Sequence, residues 1–98
     1  MKNKIKISQL QNNQFILQDF ENDIVYFQSY QSLVCEIVKD WKIVLYQDFD
    51  YSTTTSKYLH QFLNEFACYD LYDFIKKNDI RKNKNLQYGK YFIVFEGE

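Results

Sequence analysis

The sequence predicts an α+β domain: a mainly antiparallel sheet of five to six strands with two helices packed on one face. Three observations carry this. Apolar and polar residues alternate in short runs from residue 3 to residue 46, and the runs are separated by turns rich in Asn, Asp and Ser. Leu59, Phe62, Leu63 and Phe66 then fall at i, i+3, i+4 and i+7, the spacing of one apolar helical stripe. The chain closes on Tyr91 to Phe95, apolar at every position, which reads as a strand inside the sheet and buried on both faces.

Taken in order, Ile5 and Ile7 mark a first strand over residues 3–9, and Gln11-Asn12-Asn13 a turn. Gln14 to Asp19 is a second strand, and Glu21-Asn22-Asp23 the next turn. Asp23 to Ser29 is a third strand, and the serines of Ser29-Tyr30-Gln31-Ser32 suit a turn. Leu33 to Val38 is a fourth strand, with Leu33, Cys35 and Ile37 on one face and Glu36 on the other. A helical spacing also fits residues 31–38. Lys39-Asp40 is a short hairpin turn into a fifth strand, Trp41 to Tyr46. The core expected here is Leu33, Cys35, Ile37, Trp41, Ile43, Leu45, Leu59, Phe62, Leu63 and Phe66. Asp48 to Tyr51 leaves the sheet as a solvated loop, and Ser52 or Thr53 caps the first helix. Asp70 starts a second helix, with Asp73 three residues on as an acidic capping box and Lys76 and Lys77 at its C-terminal end. Residues 78–88 read as polar and basic, a loop or a frayed continuation of that helix.

The 98 residues fit a single domain, 1–98, and an apolar fraction of 46% supplies a core without staples. Nine Tyr exceed what such a core can bury with every hydroxyl paired, so several belong on the surface, where binding sites use them. With two Gly and no Pro, the turns rely on Asn, Asp and Ser. Residues 1–10 are too polar for a signal peptide and no run is long enough to span a membrane, so the expected location is cytoplasmic, with Cys35 and Cys68 reduced. The net charge of −1 divides into −7 between Asp19 and Asp73 and +6 over the two ends. Two charged faces, or charges interleaved in space, both fit that pattern.

No pattern points to catalysis. His60 is the lone histidine and has no second ligand to complete a metal set, so no metal and no cofactor are expected. Cys35 reads as a buried thiol. Cys68 lies two helical turns from His60, too far for a thiol–imidazole pair. The acid pairs Asp48/Asp50 and Asp70/Asp73 read as a solvated loop and as caps. The Ser52-Thr53-Thr54-Thr55 run lacks the Gly-rich loop and lysine of a nucleotide site, and capping uses only part of it.

The segments FQSYQSLV and DYSTTTSKYLHQFL, with the hairpin between them, resemble small uncharacterised proteins of phages and plasmids of low-GC Gram-positive bacteria. The resemblance spans Tyr26 to Leu63. It implies a mobile-element origin and a sheet-plus-helix module, and brings no activity with it.

The function expected is a small non-enzymatic protein-binding module: an anti-defence inhibitor of anti-CRISPR type. It would occupy a host protein such as a defence nuclease, using acidic groups in the manner of nucleic-acid phosphates. The residues expected to carry it are Asp48, Asp50, Tyr51, Asp70, Tyr72 and Asp73. The alternative is a nucleic-acid-binding or regulatory protein that uses Lys76, Lys77, Arg81, Lys82, Lys84 and Lys90, interleaved with Tyr88 and Tyr91. Monomer and homodimer are both compatible with the sequence, since an uncovered edge strand can pair two copies.

Overall fold

The computed structural model describes residues 5–97; Asn3 and Lys4 of the expected first strand lie outside them. Five strands, β1 (Ile5–Gln11), β2 (Gln14–Asp19), β3 (Ile24–Ser29), β4 (Ser32–Val38) and β5 (Lys42–Leu45), form an antiparallel meander. Three helices follow: α1 (Thr53–Phe66), α2 (Leu71–Lys77) and the single turn α3 (Ile80–Asn83). The chain returns as β6 (Asn85–Tyr88) on the far edge. It then turns at Gly89, φ 59°, into β7 (Tyr91–Phe95), which runs parallel to β5. The sheet thus has seven strands in the order β1-β2-β3-β4-β5-β7-β6.

The fold class is as the sequence indicates, with one more strand and one more helix. Both additions come from residues 78–88, expected to be a loop or a frayed continuation of the second helix. Asp79 caps α3, its side chain accepting from Lys82 N. Leu86 and Tyr88 then alternate with the exposed Asn85 and Gln87. Four residues of alternation inside a basic stretch are too short a period-two signal to stand out in the sequence.

Register shows which side chains meet. Ile16, Phe27, Cys35, Leu45 and Phe95 lie in one row across five strands, and Val25, Ile37, Ile43, Ile93 and Leu86 in the next. These rows face the helices. Leu59, Phe62 and Leu63 of α1, Leu71 and Ile75 of α2 and Ile80 of α3 close the core from above, all at 2% exposure or less. Phe62 stacks on Phe27 with centroids 5.6 Å apart.

Two expected core residues are outside it, each for a local reason. β4 carries a bulge: Phe27 pairs with Cys35 but Gln28 with Leu33, so Val34 is an extra residue between them. The bulge turns Val34 inward to full burial and puts Leu33 opposite Gln28, away from the helices and 38% exposed. Trp41 does not begin β5. It lies in the hairpin turn Lys39–Trp41, where Asp40 and Trp41 have φ of 69° and 65°. Its ring is 46% exposed, edge-on to Tyr91 at 5.7 Å and beneath Lys90 Nζ at 3.8 Å. Phe66 is half-buried. β7 is interior as expected, but only Tyr91, Ile93 and Phe95 are buried. Phe92 is 41% exposed, because no helix covers its side of the sheet.

Candidate functional site

The turn from Asp48 to Thr55 was the segment the sequence left least explained, and its residues divide sharply. Phe49, expected in a solvated loop, is 2% exposed and packs edge-on against Phe95. Ser52 is the N-cap of α1, its hydroxyl accepting from Thr55 N at 3.1 Å. Thr55, 3% exposed, is roofed by the helix. Its Oγ1 accepts from the Ser52 hydroxyl at 3.2 Å and shares a 3.0 Å hydrogen bond with Ser29 Oγ of β3. Ser52 and Thr55 therefore tie the start of α1 to the sheet. Thr53 and Thr54 are exposed and make no side-chain hydrogen bond among the described residues.

Asp50 is half-buried and committed. Arg81 of α3 forms an ion pair with its carboxylate, donates to Gln47 O at 2.6 Å, and stacks with its guanidinium carbon 4.9 Å from the ring centres of both Phe49 and Phe95. Here the acidic middle and the basic end of the sequence interleave in space.

Asp48 and Tyr51 stay free at the surface, Tyr51 at 80% exposure. They line a groove of about 320 Å³ with Ser29, Tyr30, Ser32, Val34 and Thr55. Tyr30 forms its other rim. This residue sits in the β3–β4 turn at φ 57°, is 54% exposed, and donates its backbone N–H to Asn13 O at 2.6 Å. A bulky residue at positive φ is uncommon, and such strain gathers where a side chain is held for use. The turns at Asn13, Asp23 and Asp40 also have positive φ, with the Asn and Asp that tolerate it, while Trp41 and Lys84, at φ 65° and 69°, share the uncommon conformation with Tyr30. Tyr30 is the site residue that sequence reasoning missed. Its signal was a tyrosine in a short turn, where the two preceding strand-to-strand turns use Asn13 and Asp23.

The other expected site residues lie elsewhere. Asp70 and Asp73 are exposed and line a separate groove with Phe74, Lys77 and Tyr88. Asp70 occupies the N-cap position of α2, but its side chain makes no capping hydrogen bond, contrary to the capping box expected. Tyr72 is 9% exposed and stacks on His60 with centroids 4.8 Å apart, so it belongs to the core rim. That stack also half-buries His60. Of the six residues, Asp48 and Tyr51 line one groove, Asp70 and Asp73 another, and Asp50 lies apart from both beside Arg81.

The basic residues are dispersed as well. Arg81 is held by Asp50, Lys84 lies over Phe95 at 5.0 Å, and Lys90 over Trp41. Lys76, Lys77 and Lys82 are exposed. Cys35 is fully buried, and burial pushes its thiol pKa well above the ordinary value. Among the described residues no group of three His, Cys, Asp or Glu side chains is placed to hold a metal ion, and no helix is long and apolar enough to cross a membrane.

A seven-strand, mostly antiparallel sheet backed by helices places the chain in the class of small α+β domains. Within it, the chain belongs to DUF8033, a family of unknown function whose model matches residues 3–82. The match ends in α3 and leaves the β6–β7 hairpin outside it. No curated protein and no solved structure matches the chain.

Proposed function

We propose that this domain is a non-enzymatic protein-binding module whose partner docks at the groove between Tyr30 and Tyr51, with Asp48 receiving a basic side chain. The observation that carries the reading is the pair of exposed tyrosines flanking a carboxylate over a floor of Ser and Thr hydroxyls. Tyrosine supplies large contact area at small entropic cost and recurs among residues that dominate binding energy. The strained Tyr30 backbone supports it further, since a turn selected for stability alone favours Gly or Asn there.

The concrete form of the reading is a mobile-element inhibitor of anti-CRISPR type that covers a host defence protein. Mimicry of nucleic-acid phosphates is the less supported version. It needs a row of unpaired acids, whereas Asp50 is neutralised by Arg81 and Asp48 lies in a different groove from Asp70 and Asp73. Nucleic-acid binding through residues 76–90 is weakened by the same packing, which folds Arg81, Lys84 and Lys90 back onto the protein's own acid and aromatic rings.

The test is affinity capture from a lysate of the encoding organism or its host. Tyr51→Ala and Asp48→Lys each lower recovery of a captured protein about tenfold or more. Tyr30→Gly lowers it too, while holding or raising thermal stability because it relieves the left-handed strain. Capture that is indifferent to all three substitutions removes the groove from the account.

A further inference from the structure

All three helices lie on one side of the sheet, and the other side is bare. Antiparallel sheets with one solvated face ordinarily place polar residues on it. Here register puts Ile7, Leu17, Tyr26, Val38, Val44 and Phe92 on the bare side, spread over six of the seven strands. Ile7 is 65% exposed and Phe92 41%, Leu17, Tyr26 and Val38 are half-buried, and Val44 is 5% exposed. We propose that this open face binds a second copy of the chain, sheet against sheet. The proposal goes beyond the groove reading and does not depend on it.

Charge favours self-association over a strongly charged partner. The strand residues of the open face include three that carry charge at neutral pH: Asp19, Glu36 and Lys42. Asp19 is occupied by its own turn, accepting from Asn22 Nδ2 at 2.9 Å and from the N–H groups of Glu21 and Asn22. Glu36 and Lys42 sit near the middle, on neighbouring strands. Glu36 pairs with Val44 and Lys42 with Val38, so acid and base lie diagonally across two valines. Glu36 accepts a hydrogen bond from Tyr46 at Oε1 and forms no ion pair among the described residues. A two-fold axis lying in the interface between them sets Glu36 of each copy against Lys42 of the other, the reciprocal contact of an isologous dimer. Half-buried Val38 then supplies apolar filling, while Val44, 5% exposed, is already covered by its own neighbours, with the sheets about 10 Å apart.

Area sets the strength. Seven strands at about 4.8 Å spacing, each about five residues long at about 3.3 Å per residue, give a flat footprint of roughly 550 Å² per copy. Stable interfaces bury about 800 Å² per partner. Side-chain relief narrows the gap without closing it, so the dimer is a weak one, in the micromolar range.

The test is sedimentation equilibrium of the full chain from about 1 to about 500 μM. The expected mass rises from 12.0 kDa toward twice that value. Phe92→Lys and Ile7→Lys, both at exposed positions, hold the protein at 12.0 kDa with an unchanged circular dichroism spectrum. Glu36→Lys and Lys42→Glu each abolish association alone, by setting like charges across the axis, and a mixture of the two variants restores it as a heterodimer. Three results overturn the proposal: a wild-type monomer at every concentration, association that survives both Phe92→Lys and Ile7→Lys, or folded charge variants that fail to associate when mixed.

Discussion

Replacing Thr55 by Val removes one hydroxyl from the base of α1 and keeps the side chain's shape. Thr55 is 3% exposed, and its Oγ1 is the sole hydrogen-bond partner of Ser29 Oγ among the described residues; Ser29 is 4% exposed. The hydrogen bond itself contributes about 1 kcal/mol, and stranding a buried hydroxyl costs about 1–3 kcal/mol. Thr55→Val therefore destabilises by about 2 kcal/mol, which for a domain of this length lowers Tm by roughly 8–16 °C. Ser29→Ala costs less, about 1 kcal/mol, because Thr55 Oγ1 still accepts from Ser52. With both hydroxyls gone neither partner is left stranded by the loss of the other, so the double variant sits closer to wild type than the two losses added together, with a coupling of about 1 kcal/mol. Urea melts followed by circular dichroism measure all four corners of the cycle. Strict additivity, or a Thr55→Val loss under about 0.5 kcal/mol, would refute the view that this bond anchors the helix to the sheet.

Asp50→Asn lowers stability by less than about 1 kcal/mol, and the loss shrinks as salt is added, since Asp50 and Arg81 are each about a third exposed and solvent screens the pair. Arg81→Ala costs more, about 1–2 kcal/mol, and much of that loss persists in salt because stacking on Phe49 and Phe95 goes too; urea melts in low and high salt separate the contributions. Burial first, and then the Glu36 charge, raise the Tyr26 hydroxyl pKa, and burial followed by the Glu36 hydrogen bond raises that of Tyr46. Burial also raises Tyr91. A group raised in the folded state stabilises fully below its unfolded value, here 10.0, and the benefit is lost as pH rises through the folded values, so chemical melts from pH 8 to pH 12 show stability falling above about pH 10. Alkylation of the native protein labels Cys68, which is partly exposed, and labels Cys35 only on unfolding; mass spectrometry of peptides from native and denatured samples reads this directly.

The parts legible in the sequence were those with a sustained period. The stripe from Leu59 to Phe66 gave α1, Ser52 gave its cap, and β2 and β7 lie where alternation and apolar content placed them. What escaped was set by single residues whose effect depends on a neighbouring strand. The bulge at Val34 exists only in register with Phe27 and Gln28, and it alone reverses Leu33 from core to surface. Trp41 leaves its expected strand because the turn takes it up at positive φ. The expected site thinned for a similar reason. Asp50 meets Arg81 across 31 positions of sequence, and Tyr72 meets His60 across a helix pair. Tyr30 reaches the groove only because β3 and the start of α1 are adjacent. The open face was partly visible, since Leu17, Tyr26 and Val44 are apolar on the side opposite the core residues. That both helices would fall on one side was expected; what the bare side then leaves exposed follows only from register.

The groove reading is tested most directly by photocrosslinking. A benzophenone amino acid placed at Tyr51, at Lys82 or at Gln61 reports which surface meets a partner when the protein is mixed with host lysate and irradiated. The three positions sample the groove, the basic segment and the outward side of α1, and all three are exposed. The account predicts a discrete heavier adduct from position 51, lost on adding Asp48→Lys, and none from positions 61 and 82. An adduct from position 82 with none from position 51 contradicts it and moves the binding surface to the basic segment.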